Sequence, residues 1–421
     1  MPGIFIGGVT LADGTRADLL IRDGVFADPA TVRPEDERVD ATGLIALPGL
    51  VDPHTHLREP GREDAETVLT GTRAAARGGF TAVHAMANLN PVTDTRAAAE
   101  HLQAIARADA SAQVVVVGAL TRGLAGEELS DIAGLHDAGV TMFSDDGRCL
   151  MNARLMRDAL DQLRAFDGVL AQHCQDHDLA GPTACCHECA ISDELGLAGW
   201  PAVAESSIIA RDVELAAYTG ARYHACHIST AESVEVIRWA KRRGLPVTAE
   251  VMPHHLLLET ALVRTGNTVY KVNPPLRTAE HVEAVRAGLA DGTIDMVGTD
   301  HAPHAARDKA KPFPEASPGM LGLEQALGVV LETMVRPGRL SWADVAERMS
   351  FAPARLSRLA GQGRPVAVGE PANLVLVDPD ASDVVDRERT ESKSRNNPYA
   401  GLLLPDPVAL TVWAGRVTYR R

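Results

Sequence analysis

The chain has 421 residues, 45% of them apolar, and a formal charge of −15. That length exceeds what one hydrophobic core usually organises, so a large domain with a smaller addition is expected. The acidic balance argues against nucleic-acid or anionic-membrane partners, which need basic surface, and no apolar run approaches the ~20 residues that span a bilayer.

The N-terminal stretch MPGIFIGGVTLADG has neither a basic region nor a cleavage signature, so no signal peptide is predicted. The six cysteines are then expected to be reduced thiols in a cytoplasmic protein. GIFIGGVTL, ADLLIRDGVFA and GLIAL alternate apolar and polar residues between Gly and Asp breaks. This pattern predicts a small antiparallel sheet. PANLVLVDPD and VALTVWAGRVTYRR, near the other end, have the same texture. One β domain assembled from residues 1–48 and 363–421 is therefore expected.

Residues 49–362 alternate strand-like and helix-like runs. The strands are GLVDPHTH, FTAVHAM, AQVVVVGAL, GVTMFSDD, GVLAQHC, ARYHACHIS, LPVTAEVM and IDMVGTD. Between them lie helical patterns such as NARLMRDALDQLRAF and ESVEVIRWAKRRG. Eight such βα units have the count and size of a TIM-like (β/α)8 barrel. A doubly wound sheet would have fewer strands and a Gly-rich phosphate turn, which is absent.

Metal-binding residue types gather at the C-terminal ends of these strands, the face that carries the active site in a barrel. His54 and His56 are two apart and share a strand face. In MFSDDG, residues 142–147, Met142, Ser144 and Asp146 share one face, and Phe143 and Asp145 the other. The two acids are either a turn signal or a source of one ligand. His173 ends the fifth strand. In ACCHEC the Cys185, Cys186 and Cys189 spacing fits no common zinc motif, which leaves a loop with small thiols. His224 and His227 are three apart and so expected on opposite faces. His227, nearer the strand end, is the favoured ligand; His224 is expected to be packed and hydrogen-bonded against the helices. Glu250 is positioned to orient a ligand histidine. His254 and His255 read as loop or supporting groups, and Asp52 as a structural acceptor. Asp300 ends the last strand.

The set His54, His56, His173, His227 and Asp300 is nitrogen-rich with oxygen donors, which suits zinc. Five ligands exceed one tetrahedral site that keeps a water. Two metals sharing an activated water and a bridging anion are therefore predicted.

The run DPHTHLREPGRE, then GGFTAVHAMANLNP, FSDDG, HC, CHIS, NPPLR and DHAPH, closely resembles the bacterial class I dihydroorotases of the amidohydrolase superfamily. The resemblance runs almost end to end. It implies a (β/α)8 barrel with a small β-sandwich built from both chain ends. The implied activity is reversible, zinc-dependent closure of N-carbamoyl-L-aspartate to L-dihydroorotate, the third step of de novo pyrimidine synthesis. It implies two zinc ions held by His54, His56, His173, His227 and Asp300, with Asp300 also the general acid/base. Arg58, Asn88, Asn273 and His304 match substrate contacts, and Pro318 and Gly319 match a backbone contact to the ring. Asp146 matches the sixth ligand, while Asp145 is expected to bond loop backbone or a basic neighbour. Many amidohydrolases bridge their metals with a carboxylated lysine. This chain has no lysine before Lys241, so Asp146 would supply the bridging anion. That absence weighs against a hydantoinase- or allantoinase-like enzyme. The complete ligand set weighs against a non-catalytic scaffold.

Two departures from the family pattern stand out. Ala87 and Leu89 flank Asn88 where Pro and Thr are common, and Pro318 stands where Phe is common. Loop 305–316, AARDKAKPFPEA, is polar with two prolines and reads as a mobile cover over the site. The resemblance further implies a homodimer, and docking with aspartate carbamoyltransferase as in some relatives.

Overall fold

The computed structural model describes residues 2–421. Eight short parallel strands form its centre: β1 (Leu50–Thr55), β2 (Phe80–Ala85), β3 (Gln113–Val116), β4 (Met142–Phe143), β5 (Val169–Gln172), β6 (Arg222–Ala225), β7 (Val247–Val251) and β8 (Met296–Val297). β1 to β3 pair in order, as do β4 to β8. Two bridges, Gly118 to Phe143 and Thr55 to His301, join these arcs into a closed barrel.

Seven helices follow the first seven strands: α1 (Val68–Arg77), α2 (Arg96–Asp109), α3 (Ile132–Asp137), α4 (Ala153–Arg164), α5 (Val203–Thr219), α6 (Ala231–Arg242) and α7 (Ala279–Asp291). Their starts are set locally. The Asn152 side chain accepts from the backbone N–H groups of Arg154 and Leu155 and caps α4. Met156, Ala159, Leu160 and Leu163 then recur at helical spacing and are buried. α5 ends at Gly220, whose φ of 72° is a left-handed value that glycine adopts without a Cβ penalty.

The strand alternation sorts side chains into two cores. Phe80, Val83, Phe143 and Leu170 face outward into the large core shared with the helices. Met86, Val117, Met142, Val169, Ala171, Cys226 and Met296 fill the interior, closed below by Ala352 and Leu356. A plugged barrel leaves only its C-terminal mouth open to a ligand.

Strands from both chain ends make one eight-stranded sheet beside the barrel, mixed rather than antiparallel as expected, because Ile4–Leu11 pairs parallel with both Glu37–Asp40 and Ile45–Pro48. Leu374–Val377 pairs antiparallel with both Ile45–Pro48 and Val408–Trp413, which ties the C-terminal segment to the N-terminal one. Ile6, Val9, Ile21, Phe26, Leu374, Leu376 and Val412 form its separate core. The thiol-rich segment is not simply a loop: Cys186–His187 pairs with Gly199–Trp200 as a small ribbon between β5 and α5. All six cysteines are free, and among the described residues no helix is long and apolar enough to cross a membrane.

Candidate metal and substrate site

At the C-terminal mouth of the barrel the strand-end residues converge on Asp146. Its Oδ1 lies 3.3 Å from His54 Nε2, 3.3 Å from His227 Nε2 and 3.6 Å from His173 Nδ1. Its Oδ2 lies 3.3 Å from His56 Nε2. Asp300 approaches from β8, with Oδ1 3.0 Å from His56 Nε2 and 3.7 Å from His54 Nε2. His173 Nδ1 and His227 Nε2 are 2.9 Å apart. Every residue of this set is at least 95% buried.

The backbone is bent to achieve this. His227 and Asp300 have φ of 35° and 44°, and Arg58 has 63°, all left-handed values for non-glycine residues. Such strain gathers where a site needs an orientation that regular strand geometry does not give. At His227 it overturns the expectation that three-residue spacing separates the two histidines. β6 stops at Ala225 and the chain then turns, so His224 stays with the interior groups rather than facing the helices. Its Nδ1 is 2.8 Å from Thr248 Oγ1 and its Nε2 is 3.4 Å from Glu250 Oε2. It is packed and hydrogen-bonded, as expected.

The supporting bonds fix which nitrogen of each ring faces the centre. His54 Nδ1–H donates to Glu250 Oε1 at 2.7 Å, and His56 Nδ1–H donates to Asn88 Oδ1 at 2.9 Å. Both Nε2 atoms are thereby turned toward Asp146 and Asp300. His54 Nε2 is buried without a hydrogen-bond partner. A lone pair aimed at carboxylates is favourable only with a cation between them. Ligand atoms on a tetrahedral zinc with ordinary bond lengths sit roughly 3.3 Å apart, close to the spacings around Asp146. Two groups, His54–His56–Asp300 and His54–Asp146–His227, have the closeness that metal ligands need. The donor set therefore fits a metal centre. Burial opposes a proton on His54, yet Asp146 and Glu250 raise its pKa well above the ordinary imidazole value. Burial likewise works against ionised Asp146, but His54 and the bonds from the neighbouring rings hold it well below the usual carboxylate range.

Asp145 points the other way. Its Oδ1 accepts from the backbone N–H of Leu120 and Thr121, and its Oδ2 accepts from the Thr121 hydroxyl. It fastens the loop after β3 through its backbone, as expected of Asp145. Asp52 accepts from His54 N, Thr299 N and Thr299 Oγ1, and so stitches β1 to β8.

A cavity of about 230 Å³ opens above Asp146. His56, His173, His227, Asp146 and Asp300 form its floor, and Arg58, Asn88, Asn273, His304, Pro318 and Gly319 its walls. His54 lies beneath. Arg58 donates to Pro303 O at 3.1 Å. Burial lowers its pKa to about 10, with Asp300 opposing the fall, so it stays cationic at neutral pH. Asn273 Oδ1 is buried and unpartnered. His304 Nε2–H donates to Pro318 O at 2.7 Å. Burial, Arg58 and Lys309 hold its pKa far below the ordinary value, so the ring is neutral. Loop 305–316 is tied down: Lys309 Nζ donates to the carbonyls of Thr268, Lys271 and Ser317, and Phe313 is buried against Cys185 and Cys186.

Several residues here had no signal in the sequence. Cys226 lies with His54 and Glu250 in a third close group, and Ser317 and Ala302 line the cavity. Cys226, one residue past the end of β6 and two after the inward His224, was legible in principle; the other two sit in loops without a period.

A closed, plugged barrel with a histidine–carboxylate cluster at its mouth defines a metal-dependent hydrolase of the amidohydrolase kind. The solved L-hydantoinase (dihydropyrimidinase) of Arthrobacter aurescens superposes with a TM-score of 0.89 at 26% identity, covering 100% of this chain and 96% of its own. A family model described as dihydro-orotase-like matches residues 43–233. Dihydroorotase of Streptomyces coelicolor is 53% identical, covering 99% of this chain and 98% of its own length. Dihydroorotase of Mycobacterium tuberculosis is 49% identical over the same shares. The chain belongs to the dihydroorotase family.

Proposed function

We propose that the protein is a dihydroorotase. It interconverts N-carbamoyl-L-aspartate and L-dihydroorotate plus water, the third step of de novo pyrimidine synthesis. One observation carries this reading beyond the family match. A single small cavity holds a metal-type cluster on its floor and, on its wall, the half-buried guanidinium of Arg58, which bonds the Pro303 carbonyl but pairs with no carboxylate. A hydantoin has no carboxylate for that cation to hold; dihydroorotate has one.

His54, His56, Asp146, His173, His227 and Asp300 would hold two zinc ions, with Asp146 as the shared anion. When bound, such ions lower the pKa of water toward ~7 and polarise the amide carbonyl. The chain's own residues supply the rest. Arg58 holds the substrate carboxylate through its planar fork. Asn88 and Asn273 orient the carboxylate and the ring amide, each with a donor and an acceptor. The neutral His304 and the backbone at Pro318 and Gly319 close the opposite side of the ring. Asp300 takes a proton from the attacking water and returns it to the leaving ring nitrogen. In the biosynthetic direction these steps reverse. Glu250 and Asn88 keep the His54 and His56 rings in the correct tautomer.

The division into residues 1–48 and 363–421 around a 49–362 barrel, a cytoplasmic location, a homodimer and docking with aspartate carbamoyltransferase complete the proposal. Sedimentation of the protein with and without that partner checks the assembly. Metal analysis with turnover of dihydroorotate tests the activity. Protein that binds zinc stoichiometrically yet never opens the dihydroorotate ring would sink the reading.

Arg58→Met removes a charge-assisted pair contributing roughly 1.5–3 kcal/mol, so KM for dihydroorotate should rise on the order of 10- to 100-fold. Steady-state kinetics at fixed zinc checks this; an unchanged KM would remove Arg58 from the clamp.

A further inference from the structure

Two loops would close over the substrate ring: 301–304, which carries His304, and 316–321, which carries Pro318 and Gly319. Neither is part of a strand of the barrel. They bond to each other through Ala302 N and Met320 O, and a further brace comes from outside the barrel, from the segment 392–397 in the C-terminal part of the chain. Asn396 lies there, 5% exposed. Its Oδ1 accepts from His304 N at 3.1 Å. Its Nδ2 donates to Ala302 O at 2.9 Å and to Gly319 O at 3.1 Å. The amide orientation is fixed, since one partner is an N–H and the other two are carbonyls. Its own backbone carbonyl accepts from Leu321 N at 3.1 Å.

One side chain thus satisfies backbone groups of both loops and braces them at their cavity end, beyond the direct Ala302 N to Met320 O bond of 2.8 Å. The His304–Pro318 bond spans the same gap from the cavity side. The segment is itself anchored. Lys393 N donates to Glu66 Oε1 at 2.9 Å, and Ser394 Oγ donates to Ala65 O at 2.6 Å. Glu66 Oε2 in turn meets His301 Nε2 at 3.3 Å, beside Asp300.

We propose that Asn396 is a positioning residue for substrate binding: it holds the His304 and Gly319 loops at the spacing that fits the pyrimidine ring. The inference rests on the dihydroorotase reading and on those two loops touching the substrate. Asn396 touches none of the metal-type residues, so its loss should weaken binding more than chemistry. Asn396→Asp keeps the shape and the bond from His304 N, but sets a carboxylate oxygen against two carbonyls. Asn396→Ala removes all three bonds.

Both variants, as full-length zinc-loaded protein, are expected to show KM for dihydroorotate raised about tenfold or more, with kcat within about threefold and metal content unchanged. Tryptic cleavage after Lys309 should also accelerate, because the neighbouring loop loses its fixed edge; this readout does not depend on activity. KM within about twofold of an active wild type, or a fall in kcat alone, would overturn the proposal. So would loss of the folded state or of metal in both variants, since Asn396 would then be merely structural. A wild-type protein inactive on dihydroorotate would instead sink the underlying reading, a different and separately visible failure.

Discussion

Asp300→Asn is expected to lower turnover of dihydroorotate by about 10³-fold or more while much of the metal stays bound. The carboxamide keeps the size of the side chain and an oxygen toward His56, whose Nε2 is 3.0 Å from Asp300 Oδ1. It cannot take up a proton at neutral pH and return it. His54, His56, Asp146, His173 and His227 remain to hold cation, so the metal should outlast the activity. Both directions of the reaction should fall together, because the same carboxylate serves each. Initial rates with metal content measured on the same sample make the check. Near-normal rates would remove Asp300 from the acid/base role.

The second large effect separates two adjacent carboxylates. Asp146→Ala is expected to lose most bound metal and at least about 10³-fold in activity, since its two oxygens face all four histidines. Asp145→Ala should keep far more of both. Its cost falls on stability: the N–H groups of Leu120 and Thr121 lose their acceptor in a buried place, roughly 1–3 kcal/mol per unsatisfied group. Thermal melting should therefore rank Asp145→Ala as the less stable protein relative to its remaining activity. Metal content tells the two apart directly. Equal metal loss in both would mean that the strand-face argument had failed.

That pair shows how far a sequence carries the argument. The alternation of faces along MFSDDG puts Asp145 and Asp146 on opposite sides, the family resemblance marks Asp146 as the inward one, and the structure has them so. The same rule failed two strands later. Three-residue spacing separates His224 from His227 only if the strand continues, and β6 ends at Ala225 before a left-handed residue. Period arguments are secure only within a strand, where successive Cβ atoms alternate; Asp146 and His227 both lie past the last strand residue, where a barrel keeps its chemistry, and there the rule held for one and failed for the other.

Loops 301–304 and 316–321 had no period to read, and the Asn396 side chain that joins them comes from a segment about eighty residues further along the chain. Lys309 looked like part of a polar cover, yet its ammonium group is clasped by three carbonyls.

The sequence by itself determined the βα alternation, the β-rich ends, the residue types at each strand end and the placing of Asp145 and Asp146 on opposite sides. These follow from local periodicity and from the chemistry of single side chains. Only the tertiary structure decided that the two ends join through the pairing of Leu374–Val377 with Ile45–Pro48, that the histidine rings turn their Nε2 atoms toward two carboxylates, and that Asn396 spans the substrate loops. Those depend on hydrogen bonds between residues far apart in the chain, and nothing in the local pattern of either partner encodes where the other will be.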